Sequence, residues 1–327
     1  MELIKNDNLW FGNYGGCFVA DAFSLHCDNY YKQFAKLVKS QKFNDNFKAL
    51  KDEFKPQFKM LDEHTILIPE NYYSVLGTAL IYKSLDKKQA LVACRYVDEA
   101  LFIAKTCKKL GINLKMYLTK ELSGISTLVD QLKLNGIEVI TKNCIELINH
   151  PEMYVFQEWL AESDDKHIIN SRCNVGAFPQ VNVASYFIKQ FKEDFDFFLK
   201  ENGLDFNKIA IPVISGTSAL GIMDENHSYI TYECDDQKDT IEELDSFCGT
   251  FTKVIRNNYT DRVLCPELVD KWEKENVIRK QVNIEDVDFA YNTYGIDLSL
   301  QSLALLSKEN DKNVLRVVKS LRFGTNL

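Results

Sequence analysis

The stretch "EALFIAKTCKKLGINLKMYL", residues 99–118, decides the fold class. Its first half repeats apolar residues at helical spacing and stops at Gly111, and its second half is a short apolar run at 114–118. A helix of ten or more residues that ends at glycine and leads into a short apolar strand is typical of a βαβ unit. This stretch therefore predicts part of a parallel sheet.

The same alternation continues on both sides of this stretch. The pattern predicts helices at 72–84 and 126–135, and strands at 90–93, 138–141, 209–214 and 314–318. Apolar residues at three- and four-residue steps also predict one or two amphipathic helices within 28–54. The chain is therefore predicted to be an α/β protein with mostly parallel sheets.

Composition limits the classes of partner. The chain has 327 residues, 46% of them hydrophobic, which suffices for one large or two medium domains. The formal net charge is -8, and the 39 basic residues are dispersed among 47 acidic ones. This distribution argues against nucleic acid or an anionic membrane as a main partner.

Nine scattered cysteines form no CxxC pair and have no histidine at metal-ligand spacing. We interpret them as reduced thiols of a cytoplasmic protein that holds no metal. The N-terminus lacks the apolar core of a signal peptide, and no apolar run reaches the length of a membrane span.

The stretch "FGNYGGCFV", residues 11–19, resembles the N-terminal signature of the tryptophan synthase β subunit. Further segments resemble that family in the same order along the chain. They are the pair His64 and Thr65, "LGTAL" at 76–80, "NGIEVI" at 135–140, "DDKHIINSRCNVGAFP" at 164–179, "ISGTSALGIM" at 214–223, "GIDLSLQSLAL" at 295–305 and "KSLRFG" at 319–324.

The resemblance implies the type II pyridoxal phosphate (PLP) fold, with two three-layer α/β domains and the cofactor between them. Residues 1–60 and 191–327 would form one domain, with the N-terminal helices packed on it. Residues 61–190 would form the other, including a mobile subdomain that contacts an α-subunit-like partner. The family also implies a homodimer.

The lysine on which the family's chemistry depends is missing from this sequence. PLP enzymes hold the cofactor on a lysine amine that also moves the substrate's proton. Counted back from "LG" at 76–77, the lysine position is Asn71, and Glu70 stands where a histidine precedes it. An amide cannot replace the amine, and the nearest lysines, Lys59 and Lys83, are predicted to lie too far away.

The family's substrate-carboxylate loop is also changed. Its catalytic glutamate falls on Ala93, and its glycines are replaced within residues 94–99 by the sequence Cys-Arg-Tyr-Val-Asp-Glu. Without those glycines the backbone cannot approach a carboxylate closely. The charges of Asp98 and Glu99 would also repel a carboxylate.

Other cofactor contacts are partly kept. The phosphate cup corresponds to Ser215, Gly216, Thr217 and Ser218, which keep hydroxyls at a helix start. Gln301 replaces an acidic residue near the pyridine ring, while Ser320 persists as the serine that contacts the ring nitrogen, with Arg322 beside it. These residues predict a vestigial PLP site.

A ligand cleft is predicted around His64, Glu70, Asn71, Arg95, Asp98 and Glu99. A structural role is the alternative for each feature: packing for 11–19, helix capping for 215–218, and buried structural histidines for His64 and His167.

The leading hypothesis is a catalytically degenerate relative with a binding or regulatory role, acting through a partner subunit or a small anionic or amino-acid-like ligand, and without PLP. The alternative is a PLP-dependent β-replacing or β-eliminating lyase that uses another lysine. A third possibility is new chemistry with Cys94, Arg95, Asp98 and Glu99.

Overall fold

The computed structural model describes residues 33–34, 36–141, 151–162, 164–169, 187, 191–213, 222–234, 277–288, 294–295 and 298–320. The resembling stretch at 11–19 and the predicted phosphate cup at 215–218 lie outside these residues.

Helices and strands alternate through much of the described chain. The first half contains α1 (Gln41–Phe54), β1 (Lys59–Asp62), β2 (Thr65–Leu67), α2 (Glu70–Ser84), β3 (Gln89–Cys94), α3 (Val97–Leu110), β4 (Leu114–Leu118), α4 (Lys120–Ser123), α5 (Ser126–Leu134) and β5 (Glu138–Ile140). The second half contains α6 (Pro151–Ala161), β6 (Lys166–Ile168), α7 (Lys192–Glu201), β7 (Lys208–Pro212), β8 (Ser228–Cys234), β9 (Val277–Val282), α8 (Leu300–Lys308) and β10 (Val314–Val318).

These strands form two sheets. One has six strands in the order β1-β2-β10-β7-β8-β9, and the other has four in the order β5-β4-β3-β6. Every pair is parallel except the β1-β2 hairpin. The predicted α/β class with mostly parallel sheets is confirmed.

The strand pairing moves the predicted boundary between the two units. Residues 61–67 were expected in the unit that spans 61–190, but β1 and β2 pair into the six-stranded sheet. The physical reason is that β2 lies beside the last strand, with Ile66 opposite Val317, and both side chains are fully buried. The four-stranded sheet begins only at β3.

Two glycines end the predicted helices. Gly111 and Gly136 adopt the left-handed conformation, with φ of 63° and 78°, directly after α3 and beyond the end of α5. A side chain at such a position is strained, so glycine ends a helix at low cost. The strands that follow, β4 and β5, lie where the periodicity predicted them.

Position 77 has no room for a side chain, because an aromatic ring lies against its backbone. A Cβ atom built on it in α2 would lie 2.2 Å from Cδ2 of Phe187. The Phe187 ring is fully buried and packs against Phe47, with the ring centroids 4.8 Å apart. The glycine therefore lets this aromatic cluster reach the backbone of α2.

Substitution Gly77→Ala is expected to lower the free energy of unfolding by about 1–3 kcal/mol, because the Phe187 ring must move out of a filled core. Urea denaturation measures the change. Gly124→Ala is the matched control, since its Cβ would be 3.4 Å from the nearest atom, the carbonyl oxygen of Glu121. Equal losses in both variants would contradict the packing explanation.

His167 in β6 is buried against α2, where its ring lies near Tyr82. Desolvation by burial, with a smaller contribution from the charge of Lys87, lowers its pKa from 6.5 to about 3, although a hydrogen bond with the backbone of Thr78 opposes the shift. The folded protein therefore keeps a neutral imidazole across the physiological range. This agrees with a structural role for His167 rather than a ligand role.

The lowered pKa of His167 predicts acid sensitivity. The unfolded chain takes up a proton below about pH 6.5 and the folded chain does not until about pH 3, so stability falls by about 1.4 kcal/mol per pH unit within that window. Urea denaturation at pH 7 and pH 5 should show wild type losing about 2 kcal/mol more than His167→Gln. Identical losses would exclude His167 as a source of acid sensitivity.

No helix in the described part of the chain combines the length and the apolar character needed to cross a bilayer.

Candidate functional site

The carboxyl ends of the parallel strands define the candidate site, because open α/β sheets bind ligands at this edge. On the six-stranded sheet this edge carries the start of α2 after β2 and residues 319–320 after β10. On the four-stranded sheet it carries residues 95–99 after β3. All but one of the predicted cleft residues come from two of these segments, the start of α2 and residues 95–99, and the predicted cofactor contact Ser320 lies in the third.

The turn after β3 is closed by the carboxylate of Glu99. Its Oε2 accepts hydrogen bonds from the backbone N–H of Arg95, at 2.7 Å, and of Tyr96, at 3.2 Å. The residue is 1% exposed, so the carboxylate is sequestered from water. The predicted cleft residue Glu99 therefore lies at the expected edge, but it occupies the backbone amides there.

Asp98 and Tyr72 connect the two sheets at this edge. The Tyr72 ring packs edge-on against Phe102 of α3, with centroids 4.4 Å apart. Burial, and then the negative charge of Asp98, raise the pKa of Tyr72 to about 12. The first turns of α2 and α3 are therefore neighbours, which brings the start of α2 close to the turn after β3.

The first turn of α2 contains no lysine. The helix begins at Glu70 and Asn71, two residues before the predicted start at 72, and their side chains lie outside the described residues. Lys83 is exposed in the last turn of the same helix, about 18 Å along the axis from Asn71 at 1.5 Å per residue. Lys59 is exposed and pairs opposite Leu67, which belongs to the core cluster shared with α8.

Lys319 lies directly after β10 at the carboxyl edge. The backbone N–H of Ile68 donates to the carbonyl of Val318 at 3.1 Å, and the N–H of Ser299 donates to the carbonyl of Lys319 at 2.9 Å. These bonds keep the chain extended, so the alternation of side chains puts Lys319 on the face of Val317. That face belongs to the core shared with the four-stranded sheet. Sequence analysis missed this lysine because it follows a strand far from the lysine position of the family.

Gln301 and Ser320 are brought together by a strand-like bridge. Ser320 pairs with Leu298, just before α8, and Gln301 lies in the first turn of that helix with 4% of its surface exposed. Ser302 accepts a hydrogen bond at its Oγ from the N–H of Lys319, at 2.8 Å. The two residues predicted for the pyridine end therefore share one corner with Lys319.

His64 does not belong to this edge, which corrects the prediction. It lies in the turn between β1 and β2, at the amino end of β2, and its ring packs on Phe206 with centroids 5.7 Å apart. Its N–H donates to Oδ1 of Asp62 at 2.7 Å. The predicted pair His64 and Thr65 therefore serves the hairpin turn, because β2 carries the chain away from His64 before the carboxyl edge is reached.

The other predicted residues lie at the end of β3 and in the turn that follows it. Ala93 lies near the end of β3, and Cys94 is fully buried as its last residue. Arg95 follows, half-buried in the turn. Among the described residues no group of three or more histidine, cysteine or acidic side chains is placed to bind a metal ion.

A second polar cluster lies where α6 packs across the four-stranded sheet. Glu158 of α6 accepts hydrogen bonds from Lys115, at 3.0 Å, and from Lys166 and the hydroxyl of Tyr117. Burial alone would raise the pKa of Glu158, but these three donors outweigh it and lower the pKa. The cluster attaches α6 to β4 and β6, so we assign it a structural role.

Glu158→Gln should lower the free energy of unfolding by about 1–3 kcal/mol, because Lys115 and Lys166 lose a shared counter-charge. Glu162→Gln serves as the control. Glu162 is 57% exposed and lies 3.4 Å from Lys166, so its loss should change stability by less than about 0.5 kcal/mol. Urea denaturation of both variants tests the assignment, which fails if Glu162→Gln costs as much.

No family model matches the chain. Two solved structures are similar to it. A pyridoxal 5'-phosphate-dependent aspartate racemase aligns with 86% of this chain and 95% of its own, at 15% identity and a TM-score of 0.49. Diaminopropionate ammonia lyase of Escherichia coli, in its apo form, aligns with 98% of this chain and 92% of its own, at 12% identity and a TM-score of 0.47. Both similarities are weak, so the fold described above stands on the strand pairing of the chain itself.

Proposed function

We propose that this chain is a catalytically degenerate relative of the tryptophan synthase β subunit and that it acts by binding rather than by PLP chemistry. Its role would be regulatory, through a partner subunit or through a small anionic or amino-acid-like ligand in the cleft. The proposal combines the sequence resemblance with the geometry of the carboxyl edge.

The observation that carries the proposal is the hydrogen bonding of Glu99. The resemblance places a substrate-carboxylate loop after β3, and here the amides of Arg95 and Tyr96 already hold a carboxylate of the chain. A substrate carboxylate would have to displace a buried charge and approach Asp98. Both costs disfavour the amino-acid substrates of PLP enzymes at this position.

The start of α2 supports the same conclusion. A lysine-bound PLP needs an amine there, and the first four helical residues are Glu70, Asn71, Tyr72 and Tyr73. Tyr72 is already packed on Phe102, and Tyr73 is fully buried with its hydroxyl donating to Asp194. The described residues of this edge therefore do not fit PLP held from α2.

Lys319 favours a second candidate function. It is a lysine at the carboxyl edge, on the face shared with the four-stranded sheet, and it stands beside Ile68 just before α2. In the lyase alternative, Lys319 would be the lysine whose amine holds PLP. If the chain is not an enzyme, the same positive charge would attract the anionic group of a ligand at the carboxyl edge.

The test is incubation of the purified protein with PLP, followed by a visible absorbance spectrum, borohydride reduction and intact mass. We expect a colourless protein with unchanged mass, because no amine stands at the start of α2 and the carboxylate loop is filled. Lys319→Met and Lys83→Met are treated in parallel, Lys83 being the exposed control lysine.

A yellow protein that gains the mass of one reduced PLP on a lysine of the cleft would overturn the proposal. If Lys319→Met abolishes that gain while Lys83→Met retains it, the lyase alternative with Lys319 is supported. A gain that survives in Lys319→Met and vanishes in Lys83→Met would indicate reaction with an exposed surface amine and would leave the degenerate cleft standing.

A further inference from the structure

Two helices of this chain are followed by the same pair of residues, an asparagine and a glycine. α5 is followed by Asn135 and Gly136, and α7 is followed by Asn202 and Gly203. All four residues are exposed. An asparagine side chain closes most readily onto the backbone nitrogen of a following glycine, because glycine has no side chain to shield that nitrogen. Each helix end is therefore a candidate site of spontaneous deamidation.

Both helix ends have the same closed geometry, so they form a matched pair. Gly136 and Gly203 are left-handed, with φ of 78° and 65°. The N–H of Gly203 donates to the carbonyl of Lys200 at 3.1 Å, and the N–H of Leu204 donates to the carbonyl of Leu199 at 2.9 Å. The same two bonds close the end of α5, at 2.9 Å and 3.2 Å. In this Schellman motif the glycine N–H is already bonded, so the nitrogen can attack the asparagine only when the motif opens.

The side-chain contacts of the two asparagines differ. In each, Nδ2 donates to the carbonyl four residues earlier, at 2.8 Å. Oδ1 of Asn135 also accepts a hydrogen bond from Nζ of Lys108 in α3, at 2.8 Å. Oδ1 of Asn202 has no hydrogen-bond partner within the described part of the chain. Asn135 is therefore held by a second helix, and Asn202 only by its own.

The apolar residue that follows each glycine differs in the same direction. Ile137, after α5, is buried in the core with 7% of its surface exposed, whereas Leu204, after α7, is half-buried. Opening the end of α7 uncovers less buried apolar surface, so it costs less free energy than opening the end of α5.

We propose that Asn202 is a deamidation site of this protein, reached through fraying of the last turn of α7, and that Lys108 protects Asn135. In the open state the backbone nitrogen of Gly203 attacks Cγ of Asn202. A C–N bond forms to close a succinimide ring, and the side-chain nitrogen leaves as ammonia with the proton that the glycine nitrogen gave up. Water then opens the ring to aspartate or isoaspartate, so water is the only co-reactant.

The products do not restore the closed end of α7. Both place a carboxylate where the helix dipole is negative, and both lose the amide that donates to the carbonyl of Phe198. Isoaspartate also adds a methylene group to the backbone before Gly203. The same helix carries Asp194, which accepts the hydroxyl of Tyr73 in the first turn of α2. Deamidation therefore weakens the helix that holds the start of α2, and it does so irreversibly.

The test is a time course of the purified full chain at neutral pH and body temperature, followed by peptide mapping with mass spectrometry. We expect the peptide that contains Asn202 to deamidate at least about threefold faster than the peptide that contains Asn135, because Asn135 keeps one more hydrogen bond. In urea both motifs are open, so the two rates should become similar. The aged protein should have a lower Tm than fresh protein, and Asn202→Ser should not show this loss.

Lys108→Met is the matched variant, because it removes the ammonium group and leaves α7 untouched. It should raise the rate at Asn135 by about threefold and leave the rate at Asn202 unchanged. An unchanged rate at Asn135 in this variant would overturn the protective role of Lys108. The deamidation site itself is excluded if Asn135 reacts as fast as Asn202 in the folded protein, or if Asn202 reacts only in urea.

Discussion

The insertion of β10 between β2 and β7 is the constraint on which this structure depends. The last described strand pairs in parallel with both neighbours, and residues 314–318 therefore join the beginning of the chain to its later half. Arg316 strengthens the junction, with a guanidinium nitrogen 3.1 Å from Oδ2 of Asp62. Without β10 the six-stranded sheet would divide into two pieces. Lys319, Ser320 and the start of α8 would then have no fixed position at the carboxyl edge.

Much of this fold follows from local sequence patterns. The segments around α3, β4, α5 and β5 combine clear apolar periodicity with glycines that end each helix, so their positions were predictable to within a few residues. Strands β8 and β9 were not predicted, because Thr231, Glu233 and Arg279 interrupt their apolar pattern. The β1-β2 hairpin was also missed, since its pairing with the last strand is a long-range contact with no local signal.

The candidate site was predicted in part. Arg95, Asp98 and Glu99 were predicted to line a ligand cleft, with acidic charges that repel a carboxylate, and the structure places them directly after β3. Sequence alone did not reveal that Glu99 turns back onto the amides of Arg95 and Tyr96, because the conformation of a turn depends on tertiary packing. His64 was misplaced for a related reason. Its neighbour Thr65 begins β2, but the direction of that strand leaves His64 at the opposite edge.

The two sheets also differ in how they can assemble on a ribosome. All strands of the four-stranded sheet lie between residues 89 and 168, so this sheet can pair as soon as that stretch has been synthesised. Strands β2 and β7, in contrast, expose an open backbone edge until residues 314–318 have been synthesised, because β10 is the strand that pairs with both of them. Open edges of this kind recruit other strands, so the nascent chain is vulnerable to aggregation until β10 has paired with β2 and β7.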